Sequence, residues 1–153
     1  MSSARKGIVR SAKLCLDASF LLKLALEEED SDVAKAHWAA WREQSLDIVA
    51  PPYLLYEASS VVLNHVHRRT VAETAGFVAF RALRTFAITY LEPDGMYERA
   101  WQMAKRFRRP TLYDAYYLAL ADMLGCELWT ASRRVYTAVH AELPWVRLLG
   151  SEA

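Results

Sequence analysis

The run Thr111-Leu112-Tyr113-Asp114-Ala115-Tyr116-Tyr117-Leu118-Ala119-Leu120-Ala121 constrains the fold more tightly than any other part of the chain. Apolar residues fill the stretch from Ala115 to Ala121 and leave no polar face to turn toward water, so a buried helix is expected here. Its one acid, Asp114, falls in the first turn, where a buried carboxylate is costly unless a donor, a cation or a metal satisfies it. Thr111 stands where an N-cap belongs, and the N–H groups of a first helical turn favour negative charge. On that reading Asp114 is an ordinary helix-terminal acid. The other acids of the chain bear on whether it is more.

Around this helix, short apolar runs alternate with helical patterns. Lys13 to Asp17 reads as a strand ending in an acid, followed by helices over Ser19 to Glu28 and Asp30 to Trp41. Asp47 to Ala50 reads as a second buried strand, closed by Pro51-Pro52. Helices follow over Tyr53 to Arg68 and Thr70 to Arg84, with Thr70 as the N-cap of the latter. Phe86 to Leu91 alternates and reads as a strand. A turn at Pro93-Asp94-Gly95 leads to a helix over Met96 to Phe107, which Pro110 closes off. After the Thr111 helix comes Gly125 as its cap, a strand over Glu127 to Thr130, a helix over Ser132 to Val139 and a last strand over Trp145 to Leu149. Such alternation predicts an α/β domain with a short, mostly parallel central sheet flanked by helices.

At 153 residues the chain suits one domain, 1–153, with a basic arm over residues 1–12. No apolar stretch approaches the roughly 20 residues of a membrane span, and Met1 to Lys13 lacks the apolar centre of a secretory signal. Cys15 and Cys126 read as reduced core thiols of a cytoplasmic protein rather than as a metal or redox pair. A net charge of only +1 means that any nucleic-acid binding must come from local patches.

Asp17 ends the first strand, Glu57 lies in the first turns of the helix after the second, and Asp114 opens the helix before Glu127 to Thr130. In an open parallel sheet, ligands bind outside the carboxyl ends of the strands, so the topology can gather these three acids at one edge. Three carboxylates brought together repel strongly, and their convergence implies a hard divalent cation such as Mg²⁺ or Mn²⁺.

The ordered blocks Leu14-Cys15-Leu16-Asp17-Ala18-Ser19, Pro51 with Glu57, Tyr113 to Ala121, and Leu128-Trp129-Thr130-Ala131-Ser132-Arg133-Arg134 resemble the PIN-domain family. They are similar above all to its small VapC-type toxins, over about residues 13 to 148. The resemblance implies a three-layer sandwich of helices around a short parallel sheet and Mg²⁺- or Mn²⁺-dependent RNA cleavage. It also implies a toxin homodimer held inactive by a small antitoxin. Asp17, Glu57 and Asp114 occupy the positions of three family acids, as catalytic residues and metal ligands. The family usually has a fourth acid where this chain has Ser132, so one negative charge is missing. Ser19, Thr130 and Ser132 are read as neutral groups that orient water or substrate beside the acids.

Of the basic residues, Arg133 and Arg109 are read as phosphate contacts, while the rest of Lys105 to Arg108 suits a solvated helix end. Asp94 and Asp122 read as structural. Trp38, Trp41, Tyr53, Tyr56, Tyr97 and Trp101 are expected in the core or at an interface, and most of the four histidines at the surface. The resulting expectation is metal-assisted hydrolysis of RNA by the toxin of a toxin–antitoxin pair. A PIN-like module that has lost catalysis and binds RNA or protein is the alternative, and Ser132 is the residue that favours it.

Overall fold

The computed structural model describes residues 12–151, so the basic arm lies outside the described residues except for Ala12. Five strands form one sheet: β1 (Lys13–Leu16), β2 (Asp47–Ala50), β3 (Thr89–Tyr90), β4 (Glu127–Thr130) and β5 (Val146–Leu148). The order is β3-β2-β1-β4-β5, and every neighbouring pair is parallel. In β1, β2 and β4 the last three residues in succession are buried. Successive strand residues face opposite sides, so consecutive burial means that both faces of the sheet are covered.

The helices are α1 (Ala18–Ala25), α2 (Ser31–Glu43), α3 (Tyr53–His67), α4 (Glu73–Ala82), α5 (Met96–Arg106), α6 (Tyr113–Leu124) and α7 (Arg133–Val139). The chain steps outward from β1 to β2 to β3, then returns across the sheet to β4 and β5. Crossovers of one hand therefore send α1 to α4 to one face and α5 to α7 to the other. The contacts agree: α1 packs on α2 and α3, α3 on α4, and α5 on α6. The reversal falls between β1 and β4, where Leu16 pairs with Trp129, and this opens a crevice at the carboxyl ends of the two strands. Phe20, Trp41 and Trp129 pack against one another in the core, and the half-buried His37 packs against both indoles.

Several boundaries depart from the sequence expectation. α6 begins at Tyr113 with Leu112 as its cap residue and no side-chain cap bond, so Thr111 does not cap it. Thr70 does not cap α4 either: its hydroxyl donates to the His65 carbonyl (3.0 Å) and meets His65 Nδ1 (2.8 Å), closing the α3–α4 turn. The strand expected over Phe86 to Leu91 shrinks to Thr89–Tyr90 at the sheet edge, while Phe86 packs edge-on against Trp38. Of the aromatic residues expected in the core or at an interface, Tyr56, Tyr97 and Trp101 are exposed, which rules out only the core. Among the described residues, no helix is long and apolar enough to cross a membrane.

Candidate active site

The last residue of β1 hands the chain to Asp17, which lies in the crevice and caps α1. Its Oδ1 accepts the Phe20 N–H at 3.0 Å and the Ser19 hydroxyl at 2.6 Å. Ser19 has one proton, and it goes to Asp17. Thr130 Oγ1 lies 3.2 Å from Ser19 Oγ, and its hydroxyl, like that of Ser19, favours the charged form of Asp17. Ser19 Oγ also accepts the Ala131 N–H (2.9 Å), and Thr130 Oγ1 accepts the Ser132 N–H (3.1 Å). Every proton in this chain of bonds points toward the Asp17 carboxylate, and such chains polarise their members in the same direction. Burial still dominates: Asp17 is only 6% exposed, and its pKa is pushed up to about 6, with the nearby Asp114 charge adding to the rise.

Glu57, on the second turn of α3, is half-buried. Desolvation and the charges of Asp17 and Asp114 push its pKa up to about 7. The Tyr53 and Tyr117 phenols face it and partly offset that rise, but neither forms a well-aligned bond to Oε2. Glu57 Oε2 and Tyr117 Oη are both buried without a hydrogen-bond partner. Burial is the main cause of both raised pKa values, but the Asp114 charge contributes to each and the Asp17 charge to that of Glu57, which puts the three acids in one neighbourhood.

Asp114 is not held by a helix cap. Its Oδ2 accepts from Arg109 Nη2 at 2.9 Å. Arg109 reaches it because α5 ends in a left-handed turn: Arg108 has φ 53°, Arg108 N–H bonds the Lys105 carbonyl, and Arg109 N–H bonds the Ala104 carbonyl at 2.8 Å. This is the 6→1 and 5→2 pattern that usually uses glycine, followed here by Pro110. Within the basic run, Arg106 points elsewhere and pairs with Glu142.

Ser132, at the missing fourth acid, caps α7: its hydroxyl accepts the Val135 N–H at 3.3 Å. It joins the site through its own N–H, by way of Thr130. Arg133 is the exposed first residue of α7. Asp122 is paired with Arg99, away from the cluster.

The donors suit a hard divalent cation. They are all oxygens, Asp114 is paired with the Arg109 guanidinium, and one buried carboxylate oxygen of Glu57 has no partner. In this conformation, however, no group of three or more His, Cys, Asp or Glu side chains among the described residues is arranged to hold a metal.

Sequence reasoning missed the tyrosines. Tyr53 stacks on Tyr113 with ring centroids 5.6 Å apart and planes 12° apart, joining α3 to α6 beside Glu57. A signal was present: Tyr53 precedes Glu57 by one helical turn, Tyr113 adjoins Asp114, and Tyr117 follows it by three residues.

The PIN domain family model matches residues 14–138. Among characterised proteins, a VapC ribonuclease of Mycobacterium bovis and the ribonuclease VapC9 of Mycobacterium tuberculosis are each 31% identical over 88 residues. That stretch is 58% of this chain and 67% of each relative. Three solved structures share the fold. PAE2754 of Pyrobaculum aerophilum has a TM-score of 0.61 at 23% identity, covering 84% of this chain and 87% of its own. VapC20 of Mycobacterium tuberculosis, described as a toxin that cleaves the sarcin–ricin loop, has a TM-score of 0.61 at 19% identity, covering 82% and 95%. A toxin–antitoxin complex from Klebsiella pneumoniae has a TM-score of 0.55 at 22% identity, covering 90% and 96%.

Proposed function

The chain belongs to the PIN domain family, and from that premise we propose that it is an endoribonuclease, the toxin of a toxin–antitoxin pair, acting on RNA phosphodiesters in the cytoplasm. What supports this reading is that Asp17 and Glu57 both have raised pKa values, through burial first and nearby acid charges second. The ribonuclease names of the 31%-identical relatives agree with it.

Asp17, Glu57 and Asp114 would hold Mg²⁺ or Mn²⁺, which when bound supplies an activated water and charge stabilisation at the attacked phosphate. The chain's own residues do the positioning. Ser19 and Thr130 fix the Asp17 carboxylate, with Ser132 behind them through its N–H. Glu57 Oε2 offers an uncommitted buried oxygen. Arg109, already beside Asp114, is placed to meet a phosphate oxygen, and Arg133 to meet a flanking phosphate at the start of α7. A small antitoxin, in keeping with the toxin–antitoxin complex among the structural neighbours, is one proposed protein partner, and a second copy of the chain is the other. The reading of a domain without catalysis rests on Ser132 alone and has no further observation behind it.

Purified protein freed of any partner is expected to cleave RNA with Mg²⁺ or Mn²⁺ and to stop on addition of EDTA. Asp114→Asn should abolish cleavage while leaving the circular dichroism spectrum unchanged. Undiminished cleavage by a nuclease-free preparation of that variant would overturn the site.

A further inference from the structure

A groove of about 680 Å³ leads away from the acid cluster along α3. Tyr53, Tyr56, Glu57, Asn64, Arg68 and Tyr113 are among its lining residues, and Glu57 is the only acid in its wall. Glu57 thus belongs to both places, and the groove opens directly from the reactive end. From Glu57 to Arg68, at the end of α3, the helix rises by about 16 Å. Near the acids the wall is aromatic: Tyr53 and Tyr113 are stacked, and Tyr56 is 75% exposed with its ring uncovered. Ser60, Val61 and Asn64 continue the wall, His65 and Thr70, bonded to each other, close it, and the exposed Arg68 stands at the far end.

Stacking faces followed by hydrogen-bonding groups and a distant cation match the needs of an unpaired nucleic-acid strand, whose bases have π-faces and whose phosphates need positive charge. We propose that this groove is a binding subsite for single-stranded RNA on one side of the cleaved bond, with bases against Tyr56 and the Tyr53–Tyr113 pair and a phosphate at Arg68. This rests on reading the acid cluster as an RNA-cleaving site. A duplex presents stacked, paired bases, so its bases cannot reach the tyrosines, and the subsite selects unpaired segments.

The test measures binding of a fluorescein-labelled single-stranded RNA, and of the same sequence as a duplex, by anisotropy in EDTA. The proteins are the wild type, Arg68→Ala, Arg68→Lys, Tyr56→Ala and, as a charge control on α2, Arg42→Ala. Arg68 and Tyr56 are both exposed, and thermal melts should confirm intact folds. Tyr56→Ala and Arg68→Ala should each weaken single-strand binding about five-fold or more, and should raise KM for cleavage more than they lower kcat. Arg68→Lys should restore most of the affinity, Arg42→Ala should change nothing, and the duplex should bind weakly to all. Wild-type cleavage with unchanged binding in both alanine variants would overturn the subsite and leave the ribonuclease reading standing. So would a groove that is covered by a co-expressed protein partner while Arg68→Ala leaves RNA binding intact. If the wild type neither binds nor cleaves RNA, the ribonuclease reading fails and the subsite falls with it.

Discussion

Asp17→Asn removes a charge while keeping the shape of the side chain, and its effect on stability should depend on pH in a direction opposite to that of most acids. Asp17 is only 6% exposed, and its pKa rises from 3.8 to about 6, chiefly through burial. At about 1.4 kcal/mol per tenfold, that rise is worth about 3 kcal/mol. The folded protein holds this proton more tightly than the unfolded chain does. The associated stability is therefore intact below about pH 4 and lost as pH climbs through about 6. Asn carries no charge, and its Oδ1 still accepts from Phe20 and Ser19. Any fixed cost of its amide N–H₂ cancels when two pH values are compared. In EDTA, the stability of Asp17→Asn relative to wild type should thus grow by about 3 kcal/mol between pH 4 and pH 8, roughly 6–12 °C in Tm for a chain of this size. Urea or thermal unfolding across that range measures it. Adding Mn²⁺ at pH 8 should narrow the gap by stabilising only the wild type. A difference that stays flat with pH, or a wild type that gains on the variant as pH rises, would refute the reasoning.

Three further outcomes are expected. Ser132→Asp keeps an N-cap for α7 and restores the missing charge, so calorimetry should show tighter Mn²⁺ binding; Ser132→Ala should leave metal affinity nearly unchanged and cost about 1 kcal/mol of stability as a lost cap. Arg109→Gln leaves Asp114 without its guanidinium, so unfolding at pH 8 in EDTA should become easier by about 1–3 kcal/mol while Mn²⁺ binds more tightly; weaker Mn²⁺ binding would show that Arg109 does not compete for Asp114. Gly76→Ala would put a methyl well inside contact distance of Val66 Cγ2, where α3 and α4 meet, and the stiff valine has little room to yield, so denaturant unfolding should show a loss of about 1–3 kcal/mol.

The sheet and most helices were legible because their signals are local. The short buried strands and Gly125 in the left-handed region at φ 63° follow from neighbours in sequence, whereas Ser132, read as the first residue of its helix, is instead the cap of α7. The caps assigned to Thr111 and Thr70 failed because a cap is worth only about 1 kcal/mol and other partners outbid it. Thr70 is spent on His65, and Asp114 is drawn to Arg109 while Tyr113 is fixed by its stack on Tyr53. The three acids could be picked out by their places at strand and helix ends. Arg109 as the partner of Asp114 could not, because that pairing depends on Arg108 adopting a left-handed conformation that composition does not announce. The packing of His37 against two tryptophans was hidden for the same reason: Trp129 comes from a strand far along the chain.

The Ser19 hydroxyl has a mechanical consequence. Beyond the last paired residues, Leu16 and Trp129, β1 and β4 begin to part, and Ser19 Oγ reaches across to the Ala131 N–H like a latch over the seam. The same oxygen gives its proton to Asp17, so the latch is strongest when that carboxylate is charged and pulls hardest. The mouth of the crevice therefore cannot widen without disturbing the acid it serves. Slow hydrogen–deuterium exchange at the Ala131 amide becomes a gauge of the charge on Asp17, readable without substrate.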